Sequence, residues 1–156
     1  MTITALGISA KNVVEIINRR DWSQMAARCY YNLDLEIVAT GEVFVNVQEF
    51  IDFWKSWTTI FPDLSVSLVN TVTSSSTEVM ELCFKGTQTG PFPVADGTIP
   101  PTGLEVVWRA CFIYDLEIED MQKIKGVRVY YDIVTLLDQL ATSPFPNVEQ
   151  DKEAKT

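Results

Sequence analysis

Asp132 closes the segment Val127-Arg-Val-Tyr-Tyr-Asp132. Read as a strand, residues 128, 130 and 132 share one face. At a rise near 3.3 Å per residue, Arg128 and Asp132 stand about 13 Å apart. That is too far for an ion pair, but both can line one cavity with Tyr130 between them. An aspartate on an apolar face among Tyr and Trp should have a raised pKa and exchange protons near neutral pH. Arg128 would then polarise a carbonyl, and Tyr130 would donate a proton to an oxygen. The other reading of Asp132 is a cap on the helix that the pattern starts at Ile133, a position that favours Asp.

Other polar residues join this set. Gln88 sits between Thr87 and Thr89. Its amide can hold a substrate carbonyl or brace a loop. Asn32 and Asp34 follow Tyr30-Tyr31 at an expected helix end, facing the cavity or simply terminating the helix. Glu81 is mid-strand, a second carboxylate if it points inward and ordinary surface if not. Trp54, Trp57, Phe61, Phe84, Trp108 and Phe112 can wall a pocket for a flat apolar ligand or form plain core. The chain has no histidine. His-based triads and His-ligated zinc are excluded. Cys29, Cys83 and Cys111 are scattered among apolar neighbours and read as reduced, buried thiols, a poor metal set. We expect no metal and no cofactor.

The elements that must position these residues follow from period and turn chemistry. A helix is expected over residues 9–20, capped by Ser9. A second follows Asp21 and ends at Asn32-Leu-Asp34. A third runs from Val47 to Ile60, with Phe50, Phe53, Trp54, Trp57 and Ile60 on one face and Phe61-Pro-Asp63 closing it. Short strands are expected at 35–39, 66–73, 79–85, 104–116 and 124–132, with a terminal helix at 133–140. Four of the seven prolines and four of the seven glycines fall between Phe84 and Gly103, which predicts a rigid rim over the sheet. Helices followed by an antiparallel meander describe an α+β domain over residues 1–142. The tail at 143–156 reads as disordered.

In strand 104–116, Trp108, Ala110, Phe112 and Tyr114 lie on one face. Val107, Cys111, Ile113 and Leu116 lie mostly on the other. A sheet with two apolar faces predicts a homodimer joined through the sheet. The composition is that of a globular domain, with 47% apolar and 21% charged residues. The net charge of −9 argues against nucleic acid and against anionic membrane surfaces. The opening Met1-Thr-Ile-Thr-Ala lacks the charged start and apolar run of a signal peptide. No run of about 18 apolar residues exists, and a cytoplasmic protein is expected.

Gly86-Thr-Gln-Thr-Gly-Pro-Phe92, Ile99-Pro-Pro-Thr-Gly103, the apolar stretch Val106–Tyr114, and Tyr130-Tyr-Asp132 with Leu136-Leu-Asp-Gln-Leu140 together resemble the SnoaL-like polyketide cyclases of the nuclear-transport-factor-2-like superfamily. The resemblance is close over residues 84–140. It implies a cone-shaped α+β sheet around a deep apolar pocket whose mouth the N-terminal helices shut. It also implies an aspartate on the last strand as general acid–base for ring closure, which carries over to Asp132, with Asn32 near the substrate oxygens. No metal or organic cofactor is implied. The family's His in the Gly-Thr-His-Thr-Gly motif is Gln88 here. The expected activity is thus acid–base cyclisation, isomerisation or ring rearrangement of a large apolar oxygenated polyketide or terpenoid in secondary metabolism. The alternatives are a non-catalytic binding module or dimeric scaffold and, less favoured, an epoxide hydrolase built from Asp132, Arg128 and Glu81 or Asp34.

Overall fold

Ser9 accepts a hydrogen bond from the Asn12 backbone N–H at 3.2 Å and starts helix α1, Ala10–Arg19. The computed structural model describes residues 9–120 and 123–141; the tail from 143 lies outside them. Val13, Ile16 and Ile17 give α1 its buried stripe, and Arg20, in the left-handed region at φ 59°, ends it. Asp21 caps α2, Trp22–Ala27.

The chain then departs from expectation. Asn32-Leu-Asp34 does not end a helix; it lies inside strand β1, Cys29–Ile37. Leu33, Leu35 and Ile37 are buried in alternation, which is the period of a strand. Strand β2, Glu42–Val45, returns against β1. Helix α3, Val47–Ile60, is capped by the Asn46 side chain and buries Phe50, Trp54, Trp57 and Ile60. Strands β3 (Ser65–Thr73) and β4 (Thr77–Thr87) form a hairpin. Short strands β5 (Phe92–Val94) and β6 (Gly97–Ile99) form a second, separate one. Strands β7 (Glu105–Glu117) and β8 (Lys123–Tyr131) complete the main sheet, and α4 (Ile133–Leu140) ends the described chain.

The main sheet has six strands in the order β2-β1-β8-β7-β4-β3. Neighbours are antiparallel except β1 and β8, which run parallel. That contact joins the first strand to the last and makes the sheet mixed. Bulges in the β1–β8, β3–β4 and β7–β8 pairings increase local twist and help it curve. The α+β class with helices on a curved mixed sheet is as expected.

The concave face is packed with aromatic rings. Trp54 of α3 stacks on Phe112 at 5.3 Å and on Phe84 at 6.0 Å between centroids. Trp108 meets Phe61 at 4.9 Å and Phe84 at 5.2 Å. Burying each such ring contributes about 1.5–3 kcal/mol, and the stacked geometry adds further stability. Of the two readings open for Trp54, Trp108 and Phe112, pocket wall or plain core, the structure shows core. On β7 the inward set is Val106, Trp108, Ala110, Phe112, Tyr114 and Leu116. Leu116 therefore belongs with the core and not with the outer face. That outer face carries Glu105, Val107, Arg109, Cys111, Ile113 and Asp115 and is half polar.

Candidate functional site at the cone mouth

Strand β8 turns Val127, Val129 and Tyr131 toward α3 and leaves Arg128, Tyr130 and Asp132 outside. Tyr131 is paired across the sheet with Ala110, a small residue. Its ring meets the Trp57 ring edge-on at 5.6 Å. Here, at the mouth of the cone, a cavity of about 270 Å³ remains open. Helix α3 gives it Glu49, Asp52, Phe53 and Trp57; the first hairpin gives Thr40, Glu42 and Phe44; the Pro/Gly-rich segment gives Phe92.

The cavity couples an apolar wall to proton-handling groups. Burial pushes the Tyr131 phenol up to about 12, and the nearby Glu42 carboxylate pushes it the same way. Tyr131 thus stays a neutral hydrogen-bond donor across the physiological range. Glu42 accepts a hydrogen bond from Thr40 Oγ1 at 2.7 Å, and Asp52 accepts one from Gln48 Nε2 at 2.9 Å. A donor beside a carboxylate at an apolar wall can polarise a carbonyl and move a proton.

Asp132 is elsewhere. Its side chain is exposed and caps α4, accepting from Thr135 Oγ1 at 2.6 Å and Thr135 N at 3.1 Å. These two bonds hold its carboxyl below the ordinary value. The expected raised pKa in an enclosed hollow is therefore corrected. Residues 128, 130 and 132 do share a face, but it is the convex one. Arg128 donates to Asp115 at 2.6 Å in an ion pair. Tyr130 is 42% exposed. Glu81 is exposed on the same outer face, beside Arg109, Tyr130 and Asp132 in a shallow groove. Asn32 and Asp34 are exposed on β1 and line a second outer groove with Arg128 and Asp115. With Arg128 paired to Asp115, the grouping expected for epoxide opening does not form.

Gln88 is fully buried and spends both ends of its amide on the rim. Its Nε2 donates to the carbonyls of Gly90 at 3.0 Å, Pro100 at 3.2 Å and Ile99 at 3.4 Å. Its Oε1 accepts from the Thr102 hydroxyl at 2.6 Å and the Thr102 N–H at 3.0 Å. This is the loop-bracing role, and it leaves the amide no free donor for a substrate.

Sequence reasoning missed Tyr131, Glu42, Glu49 and Asp52. The signal for Tyr131 was its alternation with Val127 and Val129, which outweighs the aromatic–polar mix of the other set. It also missed Glu78, which is inward-facing and 2% exposed. One Glu78 oxygen accepts from Thr71 Oγ1 at 3.2 Å and the other has no partner. The cysteines are free. Burial pushes the Cys29 thiol up to about 12, which keeps it unreactive. Among the described residues no cluster of His, Cys, Asp or Glu is arranged to hold a metal ion, and no helix is long and apolar enough to cross a membrane.

The model of the SnoaL-like polyketide cyclases matches residues 9–140. No curated protein matches the chain. Among solved structures, a SnoaL-like polyketide cyclase from Agrobacterium tumefaciens is 20% identical, with 86% of this chain and 99% of that one covered and a TM-score of 0.66. TsrD from Streptomyces laurentii is 20% identical over 84% of this chain and 90% of that one, with a TM-score of 0.69. A protein of ketosteroid isomerase-like fold from Catenulispora acidiphila, solved with trimethylamine, is 9% identical over 88% and 93%, with a TM-score of 0.66. At these identities the likeness is one of fold.

Proposed function

The chain belongs to the SnoaL-like polyketide cyclase family, and on that premise we propose that it is an acid–base enzyme of cyclase or isomerase type whose site is the cavity at the cone mouth. Tyr131 donates a hydrogen bond to a substrate carbonyl oxygen. The Glu42 carboxylate takes the proton from the adjacent carbon and returns it after the bond has formed or shifted. The charge that develops on the oxygen faces the phenol at an apolar wall, where a hydrogen bond is worth more than in water. The substrate is an apolar oxygenated ring compound of secondary metabolism. A cavity of about 270 Å³ lies just below the range of about 300–1,000 Å³ usual for small-molecule sites, so it takes one or two rings, not a whole polycycle.

The observation that carries this reading is Tyr131, a half-buried phenol raised to about 12 beside a carboxylate on the cavity wall. The test needs no natural substrate. 2-Tetralone, a two-ring ketone, exchanges its α-protons in D2O, and NMR follows the exchange. The protein should accelerate it, and Tyr131→Phe or Glu42→Gln should each cut that acceleration by about 100-fold, the usual scale for losing a proton-transfer group. Asp132→Asn should change it by less than about threefold. Loss of acceleration in Asp132→Asn, with Tyr131→Phe unaffected, would defeat the assignment.

Aromatic filling of the interior favours a second reading, a binding module without turnover. It predicts that tetralone shifts protein resonances at the mouth while exchange stays at the background rate. The proposed assembly is a homodimer through the convex face of the sheet, supported by Val107 and Tyr130, which are 46% and 42% exposed there.

A further inference from the structure

We propose that the molecule taken into the mouth cavity is an organic cation, an ammonium group carried on an apolar body. This rests on the reading that the mouth cavity is the ligand site and adds the charge of the ligand. The walls include the aromatic side chains of Phe44, Phe53, Trp57, Phe92 and Tyr131. The polar rim carries the carboxylates Glu42, Glu49 and Asp52, and no Lys or Arg lines the cavity. Aromatic faces attract cations through their quadrupole, and carboxylates around the opening add to that field.

The rim carboxylates stand outside the ion pairs of the described residues. The three ion pairs among the described residues are Lys85–Glu105, Lys125–Glu117 and Arg128–Asp115. None involves a rim carboxylate. Glu49 and Asp52 stand three apart on α3, where like charges repel. Lys55, the next charged residue along the helix, stands three residues beyond Asp52 and lines the adjoining groove with it, so it offsets part of the Asp52 charge and leaves Glu42 and Glu49 uncompensated by the helix. A cationic ligand would relieve that repulsion, whereas an anionic one would add to it. The three carboxylates do not converge as a metal site would require, so the complementary cation is a large organic one held by the walls.

Calorimetric titration with benzyltrimethylammonium, its uncharged isostere neopentylbenzene and the anion phenylmethanesulfonate reads the preference directly. We expect the cation to bind at least about tenfold more tightly than the isostere, and the anion most weakly, given an attraction of cation–π type. The double variant Glu49→Gln/Asp52→Asn, confined to exposed positions, should reduce cation affinity at least about tenfold and leave the isostere unchanged. Equal affinity for cation and isostere, or a double variant that binds the cation as well as the parent does, would overturn the proposal and leave the mouth cavity as the site. Failure of all three compounds to bind would overturn the proposal and the placement of the site together.

Discussion

Tyr131 and Asp132 are neighbours in the chain, yet one lines the mouth cavity and the other stands in solvent. The pleat makes this so, since successive residues point to opposite faces, and a one-residue error of phase exchanges the whole set. Both sets on β8 contain apolar or aromatic members, so sequence gave no decisive choice between Val127-Val129-Tyr131 and Arg128-Tyr130-Asp132. The capping alternative for Asp132 was legible because Asp directly precedes the helical pattern that starts at Ile133, a position that favours Asp. Capping has a pH consequence. The folded pKa of Asp132 is lowered by its bonds to Thr135. Its contribution to stability is therefore present above the unfolded carboxylate value, 3.8, and is lost as pH falls through the lower folded value. Asp132→Asn keeps a capping oxygen but removes the charge. Thermal melts from pH 7 to pH 2 should show the variant losing less stability than the parent on the acid side. Parallel curves would mean that the Asp132 carboxylate is not engaged with Thr135 in solution. The exposed site keeps the difference small.

Helix α3 was legible because its aromatic residues recur at three and four, and α4 because its cap and apolar stripe agree. Strand β1 was not. Tyr30-Tyr-Asn-Leu-Asp34 follows a helix directly, and its pairing with β8 comes from the far end of the chain, a contact that no local pattern encodes. The Pro/Gly-rich segment was legible as a rigid rim, and the structure gives the mechanism of its rigidity. Gln88 satisfies carbonyls on both arms of the segment, and Gly90 donates to the Ile60 carbonyl at 3.1 Å. A side chain at position 90 would stand 2.1 Å from the Thr59 carbonyl oxygen, so the rim sits directly on the end of α3. Gln88→Ala would leave several buried polar groups without partners. Each unsatisfied group costs about 1–3 kcal/mol, and with partial rehydration a net loss of about 2–4 kcal/mol is expected in urea denaturation. A loss below about 0.5 kcal/mol would show that the rim does not depend on this amide. Because Phe92 lies on the same segment and lines the cavity, the variant should also bind ligands at the mouth more weakly.

At the scale of the molecule, the sheet has one face committed to α3 and the other open. The convex face is less apolar than strand β7 alone suggested, because Arg109, Glu81, Lys85 and Glu105 alternate with Val107, Cys111 and Ile113. That mixture still suits a second copy. A two-fold contact sets the same patch against itself. Glu81 pairs across the strands with Cys111, and Arg109 with Cys83, which places opposite charges on either side of the half-buried thiols. A two-fold axis there would bring Arg109 of each protomer toward Glu81 of its partner while Val107 and Tyr130 were covered. A stable contact needs about 800 Å² from each copy, an area a face of four long strands can supply. Sedimentation equilibrium at micromolar concentration should therefore give twice the 17.6 kDa of one chain. Arg109→Glu should shift the protein toward the monomer by setting like charges against each other, and the double variant Arg109→Glu/Glu81→Arg should restore the dimer because the attraction is regained with its sense reversed. A single-chain mass for the parent protein would remove the dimer. A dimer indifferent to Arg109→Glu would move its interface off this face.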